Sequence, residues 1–122
     1  MFEIVVKEHF SAAHRIDGYP GSCSNLHGHN WNVEMCLRIE KLNEIGMAFD
    51  FREAKKILSD VIQKLDHSFL NDNPLLENGN PTAERIAMVI FDEISSRIAD
   101  NIKIASITVW ESDSTAVKYS LE

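Results

Sequence analysis

From His27 to Ile39 the chain alternates without interruption. His27, His29, Trp31, Val33, Met35, Leu37 and Ile39 share one parity, and Gly28, Asn30, Asn32, Glu34, Cys36 and Arg38 share the other. Successive side chains of a strand point to opposite faces, so a period of two held over this length describes an extended strand and no helix. One of its faces is apolar and core-facing, and two imidazoles continue that apolar row at one end. A second segment, residues 2 to 14, places Phe2, Ile4, Val6, Phe10, Ala12 and His14 on one parity. It predicts another strand, ending at a third histidine.

Beyond Asp50 the period changes. Phe51, Ala54, Ile57, Leu58, Val61, Ile62 and Leu65 follow helical spacing behind an Asp50 cap, with Glu53 three residues on. Asn-Pro and Asn-Gly turns fill Asn71 to Pro81, after which Thr82 can cap a second helix carrying Ile86, Ile90, Ile94 and Ile98. The β-rich stretches 102–111 and 115–121, joined by a polar turn, predict a closing hairpin. The order is β-β-α-α-β-β. It implies an α+β fold, a four-stranded antiparallel sheet with both helices on one face. A chain of 122 residues fits one domain, 1–122, large enough to bury a core. Val5, Ile107, Val109 and Val117 are candidates for the sheet's second face, where an apolar surface would favour packing between subunits.

Twelve Lys and Arg against nineteen Asp and Glu give a net charge of -7. With no basic block, a nucleic-acid partner is not expected, because phosphate backbones require clustered cations. Lys7 and Glu8 interrupt the apolar start Phe2, Ile4, Val5, Val6 far short of a signal peptide or a membrane span. A cytoplasmic protein with no membrane partner is the expectation, and Cys23 and Cys36 are then reduced thiols. Cys36 reads as a buried small hydrophobe.

His27 and His29 project from one strand face about 7 Å apart, within reach of a single ion. A hairpin through the turn-rich loop Asp17 to Asn25 would bring His14 alongside. Three neutral imidazoles suit Zn²⁺ and leave one coordination position open, as catalytic sites do. The plainer alternative makes all three ordinary core or surface histidines. Cys23 precedes them in Cys23-Ser24-Asn25-Leu26-His27-Gly28-His29. A neighbouring cation would lower its thiol pKa and make it a proton acceptor, although the same spacing allows a fourth zinc ligand closing a structural site. Asp66-His67 follows the first helix as either a polar terminus or a catalytic pair. Glu111 ends an apolar strand, where its carboxylate either accepts hydrogen bonds from an amino-substituted heterocycle or simply meets solvent. His9 and Asp50 read as an exposed histidine and a helix cap.

Taken together, six segments resemble the pterin synthase family that includes 6-pyruvoyltetrahydropterin synthase and the queuosine-pathway 6-carboxytetrahydropterin synthase. They are Phe10-Ser11-Ala12-Ala13-His14, the Cys-x-x-x-His-Gly-His of 23 to 29, Gly46-Met47 with Asp50-Phe51, Leu65-Asp66-His67 with Leu70-Asn71, Pro81-Thr82-Ala83-Glu84, and Glu111. The resemblance implies that His14, His27 and His29 hold zinc. It further implies that Cys23 is the base, Asp66 and His67 its proton relay, Glu111 the pterin anchor and Thr82 a substrate contact. It implies subunits whose sheets close into a barrel, a hexamer as the usual assembly, and active sites between subunits. Three residues between the cysteine and the first histidine resemble the carboxy-forming branch. That branch is a zinc-dependent lyase converting 7,8-dihydroneopterin triphosphate to 6-carboxy-5,6,7,8-tetrahydropterin, acetaldehyde and triphosphate, without nicotinamide or flavin. The alternatives are a pyruvoyl-forming synthase and a non-catalytic, zinc-stabilised binding module.

Overall fold

The computed structural model describes residues 1–21 and 24–122. Strands β1 (Phe2–His14) and β2 (His27–Ile39) are followed by helix α1 (Phe51–Ile62), a two-residue strand β3 (Ser68–Phe69) and helix α2 (Ala83–Ser95), then β4 (Lys103–Trp110) and β5 (Ala116–Tyr119). Single 3-10 turns occupy Leu70–Asp72 and Pro74–Leu76. The strands form one sheet in the order β3-β1-β2-β4-β5.

β1 and β2 pair antiparallel along their full lengths, from Phe2 opposite Ile39 to His14 opposite His27. Directly opposed residues share a face, so Val6 meets Met35 and Phe10 meets Trp31 in one apolar row. Both helices cover that row. Ala54, Leu58 and Val61 of α1 and Ile86, Ala87, Ile90 and Ile94 of α2 are fully buried against it. Each helix starts where the sequence places its cap. Asp50 Oδ1 accepts from Arg52 N at 2.8 Å and Thr82 Oγ1 accepts from Arg85 N at 3.2 Å. Such caps stabilise a helix by about 1 kcal/mol each.

Two expectations are corrected. The sheet has five strands and is mixed, because the chain leaving α1 lies back along the outer edge of β1. Ser68 and Phe69 pair there in parallel with Ala12 and Ala13, satisfying edge groups that would otherwise be open. Among the described residues, the second face is not the apolar one expected. Ile107 opposes Met35 and Val109 opposes Val33, so both sit in the helix-covered core, and Val117 packs against it. Only Val5, 52% exposed, stays outside. Around it the open face is polar, with Lys7–Glu34 and Arg38–Glu3 ion pairs at 3.5 and 3.1 Å. Cys36 is half-buried on this face, and burial with Glu3 nearby raises its thiol pKa, leaving it unreactive.

Candidate metal centre

At the end where β1 finishes and β2 begins, the core row turns from apolar to imidazole. The register sets His14 opposite His27 and Ala12 opposite His29, so the three rings converge on the helix side of the sheet. One ligand atom from each lies within 4.8 Å of the others, and the ring centroids are 4.6 to 5.2 Å apart. Trp31, fully buried, forms the floor. Its indole stands edge-on to His14 and His29 at 5.0 and 5.2 Å and donates through Nε1 to Ala12 O at 3.2 Å.

The hydrogen bonds fix two tautomers. A carbonyl only accepts, so the 2.9 Å contact from His14 Nδ1 to Pro81 O puts the proton on Nδ1, and the 2.7 Å contact from His27 Nδ1 to Asn25 O does the same. Each ring then offers an unprotonated Nε2. His14 Nε2 and His29 Nε2 are buried and find no hydrogen-bond partner among the described residues. Two orphaned polar atoms side by side are unfavourable unless something satisfies them. The donor set fits a zinc ion, which these Nε2 atoms and that of His27 could hold.

The electrostatics agree. Burial lowers the pKa of His14, opposed by its Pro81 bond, and burial lowers that of His29, opposed by Glu111. Both are held neutral, the form that binds metal. With folded pKa values below the ordinary 6.5, the unfolded chain binds more protons as pH falls through and below that value, so folding stability is lost on acidification. Thermal melts in chelator from about pH 7.5 to about 5 should show a falling midpoint, with a shallower slope for His14→Gln. Equal slopes would contradict a buried, neutral His14.

Glu111 follows β4 directly, and its Oε1 lies 3.6 Å from His29 Nε2 with the side chain 39% exposed. It therefore borders the imidazole cluster and still faces outward. Asp66 and His67 do meet. Asp66 Oδ2 lies 2.9 Å from His67 Nδ1, Asp66 Oδ1 accepts from Ser11 N at 2.9 Å, and His67 N donates to Ser11 O at 2.7 Å. These donors, Ser11 first, lower the Asp66 pKa and keep it a carboxylate. The pair is thus pinned to the edge of β1 two residues before the dipeptide Ala13-His14. His67 has φ 55°, and its side chain is 83% exposed. With Ser11, Ala13, Gly28, His29 and Asn30 it lines an open depression of about 420 Å³.

Thr82 is half-buried with its hydroxyl engaged as the α2 cap, next to the Pro81 carbonyl that orients His14. Cys23 lies outside the described residues. His9 is exposed on the open face and Asp50 caps α1, as the sequence suggests. Sequence reasoning missed the two orienting carbonyls, Pro81 and Asn25. Every residue has a carbonyl, so no residue type marks them. Trp31 was legible only as core.

Residues 3–122 match the family described as 6-pyruvoyl tetrahydropterin synthase. The chain is similar to a 6-carboxy-5,6,7,8-tetrahydropterin synthase of Synechocystis, 34% identical over 122 residues, which is 95% of this chain and 92% of that one. It is also similar to a dihydroneopterin monophosphate aldolase of Pyrococcus furiosus, 30% identical over 115 residues and 94% of each chain. Among solved structures, the 6-pyruvoyl tetrahydropterin synthase of Caenorhabditis elegans superposes with a TM-score of 0.85 over 99% of this chain and 96% of that one. At 24% identity that likeness speaks for the fold.

Proposed function

Because the chain belongs to the 6-pyruvoyl tetrahydropterin synthase family, we propose that it is a zinc-dependent lyase of the carboxy-forming branch. It converts 7,8-dihydroneopterin triphosphate and one water to 6-carboxy-5,6,7,8-tetrahydropterin, acetaldehyde and triphosphate, as in queuosine biosynthesis. The observation that carries the metal is the pair of orphaned imidazole nitrogens, His14 Nε2 and His29 Nε2. The short Cys23 to His27 spacing and the Synechocystis relative's name favour the branch.

His14, His27 and His29 hold the zinc, which when bound supplies Lewis-acid polarisation of a substrate oxygen. The chain's own residues do the rest. Glu111 accepts hydrogen bonds from the pterin's amino and ring N–H groups, a bidentate match for a carboxylate. The Cys23 thiolate takes a proton from the substrate side chain. His67 keeps Nε2 free while its Nδ1 is held by Asp66, so it can accept and return that proton. Thr82 contacts the substrate beside Pro81. The His67 side chain is exposed in one chain and its depression is open, which suits a site completed by a second subunit in a hexamer whose sheets close into a barrel. No described helix is long and apolar enough to cross a membrane, and the reading places the enzyme in the cytoplasm.

The second reading is the pyruvoyl-forming synthase, favoured by the family's own description, which would use the same residues and release triphosphate alone. Product analysis decides. Zinc-loaded protein and dihydroneopterin triphosphate, without added cofactor, should give one trapped acetaldehyde per substrate consumed. A pyruvoyl product with no aldehyde would sink the branch. A two-carbon aldehyde still esterified to the phosphate chain, with no free triphosphate, would instead point to the aldolase chemistry named for the Pyrococcus relative.

A further inference from the structure

We infer that Arg85 is a positioning residue for the metal centre, acting through the segment 76–81 to aim the Pro81 carbonyl at His14. The inference rests on the zinc reading above and adds to it a residue that touches neither ligand nor substrate.

Arg85 lies in the first turn of α2, and its Nη1 donates to Leu76 O at 3.1 Å and to Asn80 O at 3.4 Å. It forms no ion pair among the described residues. A part-buried guanidinium without a carboxylate spends its charge on these carbonyls, and hydrogen bonds from a charged donor are the stronger kind. The turn is shaped to receive it. Gly79 has φ 150°, a conformation that strains any residue with a side chain, and a Cβ there would just reach van der Waals contact with Arg85 Nη1, at 3.4 Å.

The staple reaches the metal centre in two steps. Asn80 is held at both ends of the residue. Its carbonyl takes Arg85 and, at 2.9 Å, Thr82 N. Its side chain accepts from Asp17 N at 3.0 Å and donates to Asp17 O at 2.8 Å. Pro81 sits between that anchored residue and the α2 cap with its own φ locked by the ring, so the direction of its carbonyl is set by how its two neighbours are held. That carbonyl takes the Nδ1 proton of His14 at 2.9 Å, fixing the tautomer that leaves Nε2 for the ion. Freeing segment 76–81 should therefore loosen the imidazole, as loss of outer partners does at zinc sites.

Zinc affinity, measured by competition with a chromophoric chelator, tests this without substrate. Arg85→Met should weaken zinc by about 10- to 100-fold, and Arg85→Lys, which keeps a charged donor, should recover much of that loss. Arg52→Met on α1, where the native side chain is 95% exposed, serves as a control and should match the wild type. Melting of the chelated proteins is recorded alongside. A merely structural staple lowers the melting point and leaves zinc affinity as in the wild type, and that result for Arg85→Met overturns the inference. Should Arg85→Met fail to fold, Arg85→Gln decides, because it keeps a polar side chain while removing the charge and shortening the reach to Leu76 O and Asn80 O. Weakened zinc supports the inference and unchanged zinc overturns it. A wild type that binds no zinc removes the metal reading itself, and the inference with it.

Discussion

Alanine at His14 should strip the protein of zinc while leaving a folded chain. His14 is 1% exposed and contributes a buried, unpartnered Nε2, so removing it leaves His27 and His29 as a two-nitrogen site too weak for a resident ion. The loss should exceed the roughly 10- to 100-fold that follows removal of an outer partner. The fold has reason to survive, because the core row beneath, Trp31, Val33 and Met35, is complete without the ring. Metal analysis after dialysis, with far-UV circular dichroism as the control, reads both quantities. Full metal content with full turnover would end the assignment, and His27→Ala and His29→Ala should behave alike.

Cys23→Ala should do the opposite, keeping zinc and losing chemistry. A side chain that moves a proton in the rate-determining step typically contributes about 100- to 10,000-fold, and turnover should fall by that order with metal content unchanged. The three imidazoles could hold an ion by themselves, and three such ligands with one open position are enough for a catalytic zinc, so by the proposed reading the thiol is not needed for binding. A variant that loses its zinc would identify Cys23 as a fourth ligand. The site would then be closed and structural, and the binding-module alternative would replace the enzyme.

These two expectations rest on features of unequal legibility. The alternation through 27–39 and through 2–14 placed β1, β2 and all three histidines, because a two-residue period and a strand end are local properties. The Asp50 and Thr82 caps were legible for the same reason. β3 was not, since two residues have no period, and its pairing depends on where α1 releases the chain. Parity within β4 was visible, but which face that parity occupies is set by the register Met35 to Ile107 and Val33 to Val109. Register is a relation between distant segments, which is why Ile107 and Val109 were expected outside and lie inside. At the site, side-chain donors could be named from the sequence, whereas Pro81 O and Asn25 O could not. Whether Asp66 and His67 meet depended on a backbone turn at His67 that no neighbouring glycine announces.

That turn carries an evolutionary consequence. At φ 55° a residue with a Cβ sits in the left-handed region at a cost of roughly 1–2 kcal/mol. Glycine would relieve the strain, offset in part by the greater chain freedom it gives up on folding. Asparagine also visits this region, because its short polar side chain can hydrogen-bond locally. By the relay role proposed for His67, either replacement trades proton transfer for thermal tolerance. Position 67 is then a place where selection for robustness and selection for turnover pull in opposite directions. A library screened for heat resistance alone would drift toward glycine or asparagine at 67 and accumulate sturdy, inactive protein.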